Sequence, residues 1–341
     1  MTVAVVGLAY FLWLISGVLP LVFAAVLLSV LLSGLAAQIA RHTPVPERWS
    51  LATATLLVAV VVLSFVALFG SQIAGQITQL LESLPDAINA GGRRIGIANA
   101  AEKLEEAITL GSGSKVLSRA AGLGVTILGV VVDLALVVVA SIYLAADPML
   151  YRRGLAKLLP PSQHERVLNA MDVTANALRL WFAGQLVTMA IVGAVSGLAY
   201  WWIGLPSALA LGIIAGATNF VPFVGPFLGA IPALVLALAI DLNTVFWTVG
   251  AAFVIQQFEG NVITPLVQRR AVSMPPALAL FAIVVFGMIF GLLGIFLAVP
   301  LTAALLVLVK KLWVRQTLGE ETTVPGEENG RTGEGRESGL G

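Results

Sequence analysis

From Pro275 to Val309 the chain carries no charged side chain, and similar apolar runs recur along its length. About 20 apolar residues let a helix cross the ~30 Å hydrocarbon core of a bilayer. Lipid offers the backbone no hydrogen-bonding partner, so a spanning segment has to satisfy its own N–H and C=O groups, as a helix does. Val3–Leu19, Leu21–Ala40, Leu51–Gly70, Leu123–Ala146 and Leu180–Ile203 fit that description, and Leu205–Thr218, Phe227–Ile240 and Val245–Phe258 are shorter. Only 11% of the 341 residues are charged, against about 25% in soluble domains, and the mean hydropathy is +0.98. The expected fold is an all-α polytopic membrane protein. It has about eight membrane-embedded segments, some of them broken or re-entrant helices, and an amphipathic helical insert outside the membrane.

The charges divide the chain into four parts. Residues 1–71 hold the N-terminal transmembrane helices, with Val3–Leu19 read as a membrane helix and not a signal peptide. Residues 72–120 form the insert, where Ile73, Ile77, Leu80, Leu81, Leu84 and Ile88 recur at helical spacing. Residues 121–315 make the transmembrane core, in which Asp147-Pro148 and the pair Ser162/Glu165 read as helix starts. Residues 316–341, rich in glycine and glutamate, read as a disordered cytoplasmic tail. Arg41, Arg48, Arg152, Arg153, Lys157, Arg166, Arg269, Arg270, Lys310, Lys311 and Arg315 all fall on one side if the segments cross in order. The positive-inside rule makes that side, and both termini, cytoplasmic. Charge does not decide whether 205–240 and 275–309 cross fully or re-enter; for 205–240, length favours re-entrance.

Composition excludes much chemistry. There is no cysteine, and the only histidines, His42 and His164, lie outside the apolar segments. Neither a cofactor nor a metal site is expected, and no enzyme signature emerges. A net charge of +1 gives no reason to expect nucleic-acid binding.

Polar groups inside apolar segments are then the candidates for function, because each is costly there unless it pairs, lines water or carries a solute. Gln256-Gln257-Phe258-Glu259-Gly260-Asn261 leads to Pro265, and a glycine and proline so close together predict a broken helix. Asn219, Pro222, Gly225, Pro226 and Pro232 predict a second break. Paired interruptions of hydrophobic segments point to a transport site. The candidate pathway residues are Asn219, Pro222, Gly225, Pro226, Gln256, Glu259, Asn261 and Pro265, with Asp133 alone in the fourth span. Near the midplane Glu259 would bind; at the cytoplasmic mouth it would gate. Four Gly-x-x-x-Gly pairs (Gly193/Gly197, Gly212/Gly216, Gly225/Gly229 and Gly287/Gly291) suit close helix packing and a homo-oligomer.

Three blocks in the last third of the chain carry a family resemblance. Asn219-Phe220-Val221-Pro222-Phe223-Val224-Gly225-Pro226 through Pro232, Gln257 through Pro265, and Gly291-Leu292-Leu293-Gly294 through Pro300 resemble, in order, blocks of the autoinducer-2 exporter family, also called PerM-like permeases. The resemblance implies a multi-pass protein of the bacterial inner membrane. It implies export of a small polar solute such as autoinducer-2, or else sodium (lithium)/proton antiport, since both have been linked to members. The short N-terminus without a basic lead-in and the buried-span Asp133 depart from the family pattern. The partners expected are a small polar solute or a monovalent cation and proton, together with the lipid bilayer. A non-transporting membrane scaffold acting through 72–119 or the tail is a third reading.

Overall fold

The computed structural model describes residues 17–60, 63–64, 86, 89, 93, 123–268, 274–315, 319, 322 and 324–327. The first sixteen residues and nearly all of the 72–120 insert lie outside them; Asp86, Asn89 and Arg93 of the insert are helical. The described residues form helices α1 (Leu19–His42), α2 (Leu123–Ala146), α3 (Pro148–Ala156), α4 (His164–Ile203), α5 (Ala208–Thr218), α6 (Gly225–Ile240), α7 (Leu242–Phe258), α8 (Thr264–Gln268) and α9 (Pro276–Leu308), with no strand among them. Residues 47–60 are also helical.

Local chemistry sets most of the ends. Asp147 accepts the Leu150 N–H at 3.0 Å with Pro148 in the first turn, so α3 starts where the sequence places it. Asp241, in extended conformation, ends α6 and caps α7 through the Thr244 N–H. The Ser162/Glu165 start is corrected. Pro161–Gln163 is a 3-10 turn, closed by Gln163 N–H donating to the Pro160 carbonyl at 2.9 Å. Ser162 is thereby held inside that turn, and α4 begins behind Gln163 without a side-chain cap.

By length and composition three helical segments suffice to cross a membrane, Leu19–His42, Pro161–Ile203 and Pro276–Arg315, although the last is interrupted at Gly291. Val132–Ala146 with Pro148–Ala156, bent by 84°, makes a fourth if the pair is one span. The expected count of about eight membrane-embedded segments is therefore not reached by spanning-length helices among the described residues. One reason is that the last third of the chain is built from hairpins.

The first hairpin is α5, a turn over 219–224, and α6. A Cβ on Gly229 would stand 2.8 Å from the Ala215 Cα, so the two helices touch backbone to backbone. The second lies within α9. Gly291 has φ 65° and ψ −144°, a conformation open only to glycine, and the helix reverses there. A Cβ on Gly287 would stand 2.9 Å from Ile295 Cγ1, and one on Gly294 would collide with the Phe286 carbonyl. Residues eight apart in a continuous helix are about 12 Å apart along its axis, so these contacts require antiparallel arms. At about 1.5 Å per residue α5 and α6 are about 16 and 24 Å long, and the first arm of α9 about 22 Å. Each falls short of the ~30 Å core. Both are antiparallel helical hairpins.

The 40-residue α4 is the spine against which both hairpins pack. A Cβ on Gly212 of α5 would lie 2.6 Å from the Gly197 Cα of α4, and Gly193 and Gly216 meet alongside. The Gly-x-x-x-Gly pairs are thus engaged within one chain. On the other side, Arg179 of α4 donates from Nε to the Val30 carbonyl of α1 at 2.9 Å, in space left by Gly34.

Candidate functional site

The turn between α5 and α6 is the deepest point of the first hairpin. Its residues Phe220, Val221 and Val224 pack among Trp181 and Phe182 of α4 and both arms of the second hairpin, through Ala282, Ile283, Phe286, Ile295, Ala298 and Val299. Phe220 sits edge-on to Trp181 and Phe182, with ring centroids 6.0 and 6.4 Å away. Phe223 is held at φ 67° in the same turn, a strained backbone for a bulky side chain. Pro222 and Pro226 are half-buried and Gly225 is buried against Thr218 and Asn219.

Asn219 begins this turn and is fully buried. Its Nδ2 donates to Glu259 Oε1 at 3.1 Å, and its backbone carbonyl accepts from Gln185 Nε2 at 2.7 Å. Three polar side chains from α4, the first hairpin and the end of α7 thus meet in one buried node. Gln185 is 9% and Glu259 8% exposed. The node is not saturated: Asn219 Oδ1 and Glu259 Oε2 are buried with no hydrogen-bond partner. Buried polar atoms are nearly always paired, so an orphan acceptor on each of these two bonded side chains needs a reason.

Glu259 reaches the node because of an irregular turn, which corrects the expected helix break. The backbone stays helical from α7 into α8, but Glu259–Ile263 is a π-helical turn in which Thr264 N–H donates to the Glu259 carbonyl. A proline at 265 would drive its ring into the carbonyl of Asn261 in a regular helix. The wider turn relieves that clash and rotates Glu259 inward. Such π-bulges are frequent at functional sites.

The other candidates are not in the node. Gln256 is half-buried, while Asn261 and Pro265 are exposed. Asp133 is exposed on α2, a helix that packs mainly on α1. Gln185 belongs to the site although it is not among the candidates read from the sequence. The signal that would find it is an amide within the apolar run from Leu180. Along α4 it lies sixteen residues, about 24 Å, from Trp201, one of two exposed tryptophans at the far end. A groove of about 750 Å³ along the α4–α5 seam is lined by Met189, Gly193, Gly197, Trp201, Ala208 and Gly216, and it does not include the node.

Apolar helices around a buried polar node, closed by two hairpins, define a multi-pass helical membrane protein. The chain belongs to the AI-2E transporter family: the sequence profile described as "AI-2E family transporter" matches residues 2–313. It is 36% identical over 166 residues to YrrI of Bacillus subtilis, a candidate transport protein, covering 49% of this chain and 47% of that one. YueF of the same organism, also a candidate transport protein, is 32% identical over 181 residues, covering 52% and 49%. PerM of Escherichia coli K12, a candidate permease, is 26% identical over 218 residues, covering 63% and 60%. The chain spans about half the length of the Bacillus relatives it matches.

Proposed function

We propose that the chain is a permease of the bacterial inner membrane, with both termini cytoplasmic, that exports a small polar solute. In this reading the Gln185–Asn219–Glu259 node is its inner gate. The observation that carries the reading is the buried hydrogen bond between Asn219 and Glu259 beside two unpartnered oxygens. A bond that ties a hairpin tip to a π-turn closes a path, and its empty acceptors give the hydroxyls of a passing solute somewhere to donate. If Trp201 and Trp202 mark the outer interface, a node about 24 Å further along α4 lies in the cytoplasmic part of a ~30 Å core. That depth suits a gate better than a midplane binding site.

The same orphan oxygens support cation/proton antiport as a second reading, because a carboxylate and an amide oxygen suit a proton or a monovalent cation. One experiment separates them. Purified protein in liposomes is loaded with a furanosyl diol or with a pH-sensitive dye, and the wild type is compared with Glu259→Gln. A permease loses part of its solute efflux in the variant and shows no sodium-dependent dye signal. An antiporter shows the dye signal and loses it entirely. Wild-type protein that moves neither solute nor protons sinks both readings and favours a scaffold.

A further inference from the structure

A second site lies about two helical turns from the gate, between the helices that flank it. Val324-Pro325-Gly326-Glu327 forms a β-turn in which Glu327 N–H donates to the Val324 carbonyl at 3.3 Å. Proline in the second position and glycine in the third at φ 88° are what a type II turn requires. The turn is seated in a groove between α4 and the second arm of α9. Val324, 6% exposed, packs with Ala177, Ala303 and Val307. Asn176 Nδ2 donates to the Gly326 carbonyl at 2.6 Å. A Cβ on Gly326 would meet the Val173 carbonyl at 2.6 Å, so only glycine fits. Glu327 pairs with Lys311, which is nearly buried, and with both carboxylate oxygens Arg315 Nη1 makes bonds of 2.8 and 2.7 Å.

Each part of a peptide-recognition site is present: an apolar socket, a backbone hydrogen bond, a position that excludes a side chain, and a cationic pair for the carboxylate. The two walls are also the bodies that enclose the gate. Ala177 is two helical turns before Gln185 on α4, and Ala303 follows Ala298 and Val299, which cover the hairpin tip. From this juxtaposition we infer that the α4–α9 groove is a binding site for an acidic Val-Pro-Gly-Glu turn. The chain's own residues 324–327 fill it, and their occupancy clasps α4 to the second hairpin. Resting on the gate assigned above, the seated turn holds the permease in its closed form and its release permits the hairpin to move.

Because the natural chain has no cysteine, single cysteines report on the clasp without background. Full-length protein bearing Val324→Cys is reacted with a soluble maleimide, natively and in sodium dodecyl sulfate. A second protein bearing Ala298→Cys reports on the seam at the hairpin tip. In the otherwise native chain both thiols should react far more slowly than in the denatured one. Adding Glu327→Lys should speed the reaction at 324 about tenfold, as expected for loss of charge-assisted bonds, and should also speed it at 298. Reversing the partners with Lys311→Glu and Arg315→Glu in the Glu327→Lys background should restore slow labelling at both. Acetyl-Val-Pro-Gly-Glu peptide at millimolar concentration should expose the thiol at 324 by competition. Native labelling at 324 as fast as in the denatured chain, or no effect of Glu327→Lys, overturns the binding site. Release at 324 with no change at 298 overturns the clasp. Neither readout needs a transported solute, so the result stands apart from the fate of the permease reading.

Discussion

Asn219 serves the protein with three groups at once: its amide N–H on Glu259, its carbonyl under Gln185, and its position at the first residue of the hairpin turn. Asn219→Ala should leave the Glu259 carboxyl buried without its donor and cost about 1–3 kcal/mol. Removing Glu259 as well should recover part of that loss, because the orphaned carboxyl goes with it. Thermal unfolding in detergent of the two single variants and the double variant checks this, and strict additivity would show that the pair is not coupled. Of these residues, Asn219 and Glu259 were legible in the sequence because a polar group in an apolar segment stands out whatever the fold. Their meeting was not legible, since forty residues separate them. Asn261, in the same polar run, shows the limit: one π-turn directs Glu259 inward and leaves Asn261 at the surface.

At the scale of elements the informative irregularities are the turns. Gly291 sits where φ is 65° and ψ −144°, and any other residue there carries strain of about 1–3 kcal/mol. Gly291→Ala should therefore lower the melting temperature clearly, whereas Gly250→Ala on α7, where a Cβ meets nothing within 4 Å, should not. Equal melting temperatures would mean that the reversal at Gly291 is not needed for the fold. The sequence predicts that 219–226 interrupts a helix, since Pro222, Gly225 and Pro226 forbid a regular one. It predicts the same for 259–265 and is corrected there, because a wide turn accommodates Pro265 without ending the helix. Hydropathy leaves α9 open between one long span and a hairpin, because a hairpin of two apolar arms and a straight apolar helix have the same composition. Only the contacts of Gly287 and Gly294 distinguish them.

At the scale of the whole molecule, α4 ties the parts together. It meets α1 through Arg179, the first hairpin through its glycine seam, the buried polar node through Gln185 and the tail through Asn176. The tail contact carries a pH dependence. Burial pushes the Glu327 carboxyl up, but the hydrogen bonds and charges of Lys311 and Arg315 outweigh it and hold it below the ordinary value of 4.5. A carboxyl lowered on folding contributes stability above its ordinary value and loses it as pH falls through the lowered one. The clasp should stay seated from pH 7 down to the ordinary value of 4.5 and loosen as pH falls further, through the lowered one. Maleimide chemistry is slow in acid, so release is best followed by a spin label at residue 324, whose motion should increase on acidification. In Glu327→Gln the motion should be the same at pH 7 as at pH 4. The reading of 316–341 as disordered is corrected for these four residues. Composition is low in apolar groups there, yet Val-Pro-Gly-Glu by itself encodes a turn with an apolar and an acidic end.

The sequence by itself determined that this chain is helical, belongs in a membrane and resembles a transporter family, because apolar run length, charge placement and short motifs are properties of consecutive residues. It also marked Asn219 and Glu259, since a buried polar group is costly wherever it occurs. The tertiary structure alone decided that these two are hydrogen-bonded, that Gln185 joins them, that α9 doubles back and that the tail has a seat. Each of those facts is a contact between residues far apart in the chain. Such contacts are set by how the hairpins pack on α4, which no local pattern of residues records.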